Sequence, residues 1–366
     1  MGRQSRLGVD YPFPSFSLAD SMSTAPKIKP SALPPGSIIG GYRVVRKLAS
    51  GGFGVVYLAL DIDGHQVAIK EYIPAALATR GPGELIPKVV PEKLSLYRLG
   101  LKSFFEEGRA LAQISHASVV SVLNFFREND TVYMVMNYLE GASLQEFIVT
   151  ARDLKQQRVF REATIRSLFD EILRGLRIVH QHKMLHLDIK PANIIITNDD
   201  KAVMIDFGAA REVLSKQGNF VRPMYTPGFA APEMYRRDTQ MGPWTDIYSI
   251  GACIYACMIG YPPNEAPQRD KKDSLPQSLG KLRNIYSDDL IAAVQQCMAL
   301  DPLARPQSVF SLQKELARGG DGPEPDPPTG VGKMRQQLDA MLSGTRKNLS
   351  KMADASLLSA FGARPK

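Results

Sequence analysis

Cysteine, histidine and tryptophan are the scarce residues of this 366-residue chain, with three Cys, five His and one Trp. Cys253, Cys257 and Cys297 have no second cysteine pair or histidine at metal spacing, which excludes a disulfide framework and a zinc ligand set. Cys253 and Cys257 lie one helical turn apart in an apolar stretch and read as buried thiols. Long apolar runs are missing as well. The N-terminus has no continuous apolar segment of the kind a secretory signal needs. The longest apolar stretch, Ile247–Tyr261, is interrupted by Ser249, Gly251 and Gly260 and is too short to cross a bilayer. The expectation is a reduced, cytoplasmic protein without a transmembrane segment.

The net charge is +8, but residues 331–366 hold seven Lys or Arg against two Asp, so that tail alone contributes +5. The basic balance therefore describes the tail and gives no sign of a nucleic-acid groove. At 44% hydrophobic residues the chain can hold one large domain or two lobes with cores, plus tails. Residues 1–37, rich in Ser, Pro and Gly, read as a disordered arm. Residues 319–330 form a stiff, acidic Pro/Gly linker. Beyond it, residues 331–366 regain a helical apolar pattern with basic residues and read as an amphipathic tail for docking a partner or a second copy, ahead of the alternative of a membrane surface.

Between these flanks one stretch organises the rest: His186-Leu187-Asp188-Ile189-Lys190-Pro191-Ala192-Asn193, followed by Asp206-Phe207-Gly208. Ile194–Ile196 and Val203–Ile205 flank the turn Asn198–Lys201 and read as a β-hairpin that folds Asp206 back beside Asn193. An amide oxygen and a carboxylate that converge suit a hard cation such as Mg²⁺. Asp188 is left as a base, and Lys190 beside it can neutralise a phosphoryl oxygen. This is the equipment of phosphoryl transfer, where positioning and charge stabilisation supply most of the catalysis.

Upstream, Leu48-Ala49-Ser50-Gly51-Gly52-Phe53-Gly54-Val55-Val56-Tyr57 places a glycine turn between two strands, whereas a dinucleotide fingerprint must open a helix. Val67-Ala68-Ile69-Lys70 ends a strand on a lysine. In the helix read over residues 101–114, Glu107 lies near the face of Phe104, Gly108 and Leu111, while Glu106 points to solvent. Residues 71–100 form an unusually long connection, either ordered by the fold or used for binding. The helix over 161–182 carries a core stripe of Ile165, Leu168, Phe169, Ile172, Leu176 and Val179. His180 and His182 at its end read as caps.

The order His-x-Asp-(four residues)-Asn, Asp-Phe-Gly and Ala231-Pro232-Glu233 resembles the eukaryotic-like (Hanks-type) protein kinase family, including its bacterial Ser/Thr members, over residues from about 40 to 318. The resemblance implies an α+β, two-lobed protein kinase fold over 38–318. A small β-rich N-lobe with one helix spans 38–137, and a larger, mainly helical C-lobe spans 141–318. It implies ATP, with Mg²⁺ or alternatively Mn²⁺, and protein substrates bearing Ser or Thr. By the same resemblance Asp188, Lys190, Lys70 and Glu107 are catalytic, and Asn193 and Asp206 hold the metal. Ala49, Ser50, Gly51, Gly52, Phe53 and Gly54 cover the phosphates. Val56, Ala68, Met136 and Ile195, with the backbone of Asn137 and Leu139, take the adenine.

Asp246 is expected to bind the backbone of the catalytic loop, and Arg305 to pair with Glu233. Thr226, with Lys190, fits the Ser/Thr class rather than the tyrosine class. The chain departs from the family at Ala49, in place of the first glycine, and at Leu187, in place of the arginine before the catalytic aspartate. Leu187 cannot receive a phosphate from the activation segment around Ser215. A small-molecule kinase and a weakly catalytic binding module with a kinase shape are the alternative readings.

Overall fold

The alternation of branched and aromatic residues from Ile38 onward builds an antiparallel sheet, and the computed structural model describes it within residues 31–153, 160–208, 225–236 and 239–318. In chain order, β1 is Ile38–Ile39, β2 Tyr42–Ser50, β3 Gly54–Leu60 and β4 Gln66–Tyr72. The short pair β5, Ala78–Thr79, and β6, Lys88–Val89, precedes α1, Leu94–Leu111. β7, Val122–Glu128, and β8, Thr131–Asn137, complete a six-stranded sheet of order β1-β2-β3-β4-β8-β7. β8 lies inside this sheet, and its residues 131–136 are all buried. The sheet curls until its two edges meet: the Gly40 NH donates to Glu128 Oε2 at 2.7 Å, and the rings of Tyr42 and Phe126 stack 6.0 Å apart. Closing the sheet in this way covers strand edges that would otherwise template pairing with another chain.

The second lobe follows β9, Gly141–Ser143, and α2, Leu144–Asp153. It contains α3, Glu162–Gln181, then β10, Ile194–Thr197, and β11, Ala202–Met204. Helices α4, Pro243–Ile259, α5, Ala266–Lys271, α6, Leu275–Gly280, α7, Asp288–Cys297, and α8, Val309–Ala317, follow. The six stripe residues of α3 are all buried, as the 3.6-residue period requires. α4 is buried nearly all round and is the centre of this lobe. Its two cysteines and Cys297 are buried free thiols, and burial pushes their pKa values up.

Three expectations change. Residues 31–37 are not a loose arm: Leu33 is buried, its NH donates to the Tyr57 hydroxyl at 3.1 Å, and the Ser31 NH donates to Arg80 O at 2.9 Å. The helix read from residue 101 begins at Leu94, because Tyr97 and Gly100 are buried on it and the Tyr97 ring packs 5.4 Å from Tyr72. Here packing overrides the weak helix propensity of glycine. His180 is no helix cap; its Nε2 lies 2.8 Å from Asp246 Oδ2, while His182 keeps the expected role with Nδ1 3.0 Å from Ile178 O. The expectations for residues 1–30, for the activation segment over 209–224, for the 319–330 linker and for the 331–366 tail lie outside the described residues.

The expected ion pair of the larger lobe is present. Arg305 Nη1 and Nη2 lie 2.8 and 3.0 Å from the two oxygens of Glu233, with both side chains excluded from solvent. The Thr245 hydroxyl adds a bond of 2.8 Å to Glu233, and Arg305 also donates to the carbonyls of Ala299, Trp244 and Leu300. Removing one partner leaves a buried charge uncompensated. Arg305→Ala is expected to lower unfolding free energy by about 3–5 kcal/mol, read from urea denaturation beside the wild type.

Candidate active site

The catalytic loop is held by its own backbone and by a 3₁₀ turn at Pro191–Asn193, where proline sets the first residue. Asp188, 7% exposed, is the hub. Lys190 Nζ donates to Asp188 Oδ2 at 2.8 Å and to Thr226 Oγ1 at 3.0 Å, and Thr226 Oγ1 donates to Asp188 Oδ1 at 3.1 Å. Asn193 Nδ2 donates to Asp188 Oδ2 at 2.8 Å, to Asp188 O at 2.9 Å and to Asp206 O at 3.4 Å. These bonds use the amide nitrogen, so Oδ1 is the atom of Asn193 that could meet a metal ion. The hairpin forms as read, with β10 pairing β11 one residue earlier than predicted on the second strand. The Ile205 NH bonds Asn193 O at 2.9 Å, which brings Asp206 beside Asn193.

Beneath the loop lies Asp246, wholly buried on α4. It accepts the NH groups of His186 and Leu187, each at 2.8 Å, in addition to His180. Burial alone would raise the Asp246 carboxyl, but the hydrogen bond and charge of His180, the neighbouring His186 and the loop NH hold it below the ordinary carboxylate range. His186 is stacked on Phe207 at 4.2 Å, and burial pushes its pKa down, so it remains a neutral structural ring. Leu187 and Asp206 have φ of 60° and 61°. Non-glycine residues in this region are strained, and here they aim the neighbouring functional groups.

From the other lobe, Lys70 Nζ reaches Asp206 Oδ1 at 2.5 Å and lies 5.2 Å from the centre of the Phe104 ring on α1. Glu107, the expected partner of Lys70, is buried on the same helix and Glu106 is exposed, as the helical wheel required. The ion pair found at Lys70 is to Asp206, so this lysine bridges the two lobes. Val56, Ala68 and Ile195 are half-buried and Met136 is buried. Ala68 pairs with Met136 across β4 and β8. The Asn137 NH donates to Ser121 O at 3.1 Å, so it is taken within the protein.

In the glycine-rich turn, Ala49 pairs with Val56 within the sheet, so the methyl group at this position sits on extended backbone without strain. Ser50 ends β2, and Gly51, Gly52 and Phe53 form the turn. Gly54 is needed for a different reason: a Cβ there would lie 2.1 Å from Glu71 O, so β3 could not lie against β4. A Cβ at Gly51 would meet open space. Sequence reasoning missed Glu71, Arg80, Tyr57 and Tyr133, which join behind Lys70 in one buried cluster. The available signal was an acid at a strand position that alternation places inside.

The curled sheet with one helix, the helical lobe and an acid-lysine-amide cluster between them define a protein kinase domain. The protein kinase domain model matches residues 42–316, and the chain belongs to this family. Among solved structures it is similar to the apo form of PpkA-294, with a TM-score of 0.68 and 33% identity over 78% of this chain and 99% of that one. It shares the fold of the Mycobacterium tuberculosis PknI kinase domain, with a TM-score of 0.55 at 19% identity over 78% of this chain and 99% of that one. Among curated proteins it is 31% identical to serine/threonine-protein kinase PknA of Nostoc sp., over 75% of this chain and 46% of that protein. It is 29% identical to serine/threonine-protein kinase PknD of Chlamydia caviae, over 75% of this chain and 30% of that protein. The chain thus spans less than half the length of these two curated relatives. No helix among the described residues is long and apolar enough to cross a membrane.

Two outcomes follow from this geometry. Gly54→Ala is expected to cost about 1–3 kcal/mol through overpacking, whereas Gly51→Ala stays within about 0.5 kcal/mol of wild type, both read by thermal unfolding. The second concerns acid. Because burial depresses the His186 imidazole from its ordinary 6.5, the unfolded chain takes up protons that the folded one refuses as pH falls through that value, and stability drops. The contribution of Asp246, whose carboxyl is held below its ordinary 3.8, is complete at neutral pH and is lost as pH falls through the folded-state value. Denaturation midpoints measured against pH are expected to decline in these two stages, and Asp246→Asn removes the lower one.

Proposed function

We propose that this chain is a protein-serine/threonine kinase that transfers the γ-phosphoryl group of ATP to Ser or Thr hydroxyls of protein substrates, itself included. The observation that carries this reading is the triangle of Asp188, Lys190 and Thr226, with sides of 2.8, 3.0 and 3.1 Å. It ties a carboxylate base and a cation to the segment where a substrate hydroxyl would lie. Asp188 orients that hydroxyl and takes its proton. Lys190, charged beside it, stabilises the transferring phosphoryl oxygens. Lys70, with Glu107 on α1 as its support, holds the α- and β-phosphates. Val56, Ala68, Met136 and Ile195 enclose the adenine, which meets the backbone of Asn137 and Leu139.

The Asn193 amide oxygen and the Asp206 carboxylate, whose Oδ1 also meets Lys70, are oxygen donors only, and they fit a hard cation such as Mg²⁺, or Mn²⁺. When bound, the metal supplies charge neutralisation at the β- and γ-phosphates. Three buried free thiols agree with a reducing cytoplasm. The 331–366 tail is the proposed contact for a partner or second copy.

Leu187 sets the regulation. With no arginine before the catalytic acid, an activation-segment phosphate has no cation to neutralise there, and activity is independent of phosphorylation through this contact.

Purified protein with radiolabelled ATP and magnesium is expected to label itself and a generic basic protein, but not sugars or choline. Asp188→Asn and Lys70→Met are each expected to reduce the rate by about 10²–10⁴ with an unchanged circular dichroism spectrum; full activity in either would overturn the assignment. Ser215→Ala and phosphatase-treated protein are expected to keep most of the wild-type rate, and a near-complete loss in either would refute the role given to Leu187.

A further inference from the structure

Behind Lys70, on the opposite face of β4, lies a fully buried polar cluster centred on Arg80 and Glu71, whose side chains are both 0% exposed. The bonds of Arg80 account for all five of its guanidinium N–H groups. Nη1 donates to Glu71 Oε1 at 2.5 Å and to Leu85 O at 3.2 Å. Nη2 donates to Glu71 Oε2 at 2.7 Å and to the Tyr57 hydroxyl at 2.9 Å, and Nε donates to Ser31 O at 2.9 Å. Glu71 also accepts the Tyr57 hydroxyl at 2.7 Å and the Tyr133 hydroxyl at 3.1 Å. One side chain from the long connection therefore pins the flank at residue 31, the loop at 85, and strands β3 and β4, and Glu71 ties in β8 through Tyr133. A buried pair of this kind adds little net stability over apolar residues of the same volume; its effect is to allow a single arrangement.

What that arrangement holds is the glycine-rich turn. Immediately after β4 the Ile73 NH donates to Phe53 O at 3.1 Å, and the Ala75 NH donates to Gly52 O at 2.9 Å. The chain from Glu71 to Arg80 is thus a clamp: one end is fixed by the buried pair, and its middle grips the turn whose other face is turned to the cleft. The clamp is knit internally as well, since the NH groups of Leu77 and Ala78 both donate to Pro74 O at 2.9 Å.

We infer that Arg80 and Glu71 are positioning residues for the nucleotide, setting the height of the Gly51–Gly54 turn over the phosphates through Ile73 and Ala75. The inference rests on the kinase reading above. It turns the 71–100 connection from a spacer into part of the phosphate-binding apparatus, and it predicts that nucleotide affinity and protein-substrate affinity respond separately to changes there.

The test uses the full chain with Arg80→Lys, which keeps the charge but loses the planar fork, with the double variant Glu71→Leu/Arg80→Met, which replaces the pair by apolar volume, and with the milder Tyr133→Phe. Amide hydrogen exchange of peptides covering residues 73–75 is measured without nucleotide, Mg·ADP binding by calorimetry, and KM for a basic protein substrate by phosphate transfer. Expected are exchange about tenfold faster and a Kd for Mg·ADP about tenfold weaker in Arg80→Lys, with KM for the protein substrate within about twofold. The double variant is expected to match these losses while remaining folded, with a lowered melting temperature because the Tyr57 and Tyr133 hydroxyls and the Ser31 and Leu85 carbonyls lose these partners, and Tyr133→Phe to move exchange in the same direction by less. Wild-type exchange and wild-type Mg·ADP affinity in the folded variants would overturn the inference and leave the pair merely structural. Should Arg80→Lys and the double variant both fail to fold, Tyr133→Phe decides on the same two readings. Wild-type protein that binds no Mg·ADP would instead overturn the kinase reading; the exchange measurement, which needs no nucleotide, separates the two failures.

Discussion

The chemistry of this molecule depends on a carboxylate that lies beneath the reaction centre. Asp246 accepts the NH groups of His186 and Leu187 and meets His180 at the end of α3, so one buried acid joins α3, α4 and the catalytic loop. Leu187 has φ of 60°, a conformation that costs a branched side chain about 1–2 kcal/mol. Two charge-assisted bonds to the backbone NH groups just before that φ offset the strain. Without them the loop would relax toward an ordinary turn, and Asp188 would lose its alignment with Lys190 and Thr226. Burying a carboxylate so completely is costly unless every lone pair is used. The cost is met by donors that the loop would otherwise leave unpaired.

The smaller lobe repeats the device. Lys70 faces the cleft, and the next residue in the strand, Glu71, points the other way into a cluster that supplies four donated hydrogen bonds. In both lobes a reactive charge lies within two residues of a backbone held from behind by a saturated acid. Strand alternation gives the geometry in one case and a left-handed turn gives it in the other. The two halves then meet through Lys70 and Asp206 at 2.5 Å, an ion pair that spans the cleft.

Much of this was legible in the amino-acid order because the candidate site residues are local. Asp188, Lys190 and Asn193 fall within one short loop, and the hairpin that returns Asp206 is marked by two apolar runs around a polar turn. The inward face of Glu107 followed from the helical angle, and the Arg305–Glu233 pair from matching motifs. What could not be read was pairing across distance without a motif. Nothing in the order of residues says that Arg80 seeks Glu71, because an arginine in a proline-rich connection is ordinarily a surface charge, and only the closed sheet creates the dry site that needs it. His180 misled for the same reason: its position at a helix end suggested capping, but the partner, 66 residues on, becomes visible only when α4 is packed. Residues 31–37 looked disordered by composition, yet a buried leucine, the bonds to Arg80 and the pairing of Gly36 and Ser37 with Val44 order them.

Leu187 joins the loop that carries Asp188 to the segment around Phe229 through apolar contact. Leu187 is 7% exposed and belongs to the hydrophobic core. It lines one small cavity with Ile189, Tyr225, Phe229, Ala230 and Met234, and with the polar Asp188, Thr226 and Ser249 at its edge. The link between the loop and the start of the Ala231-Pro232-Glu233 segment is therefore apolar contact, with the Lys190–Thr226 bond at its polar rim. An ionic link would respond to salt, to pH and to added phosphate; an apolar one responds to packing. A guanidinium at this position would need several acceptors to be tolerated, and this lining is mainly aromatic and aliphatic. The contact between this loop and the segment from Tyr225 to Met234 is thus held mainly by burial.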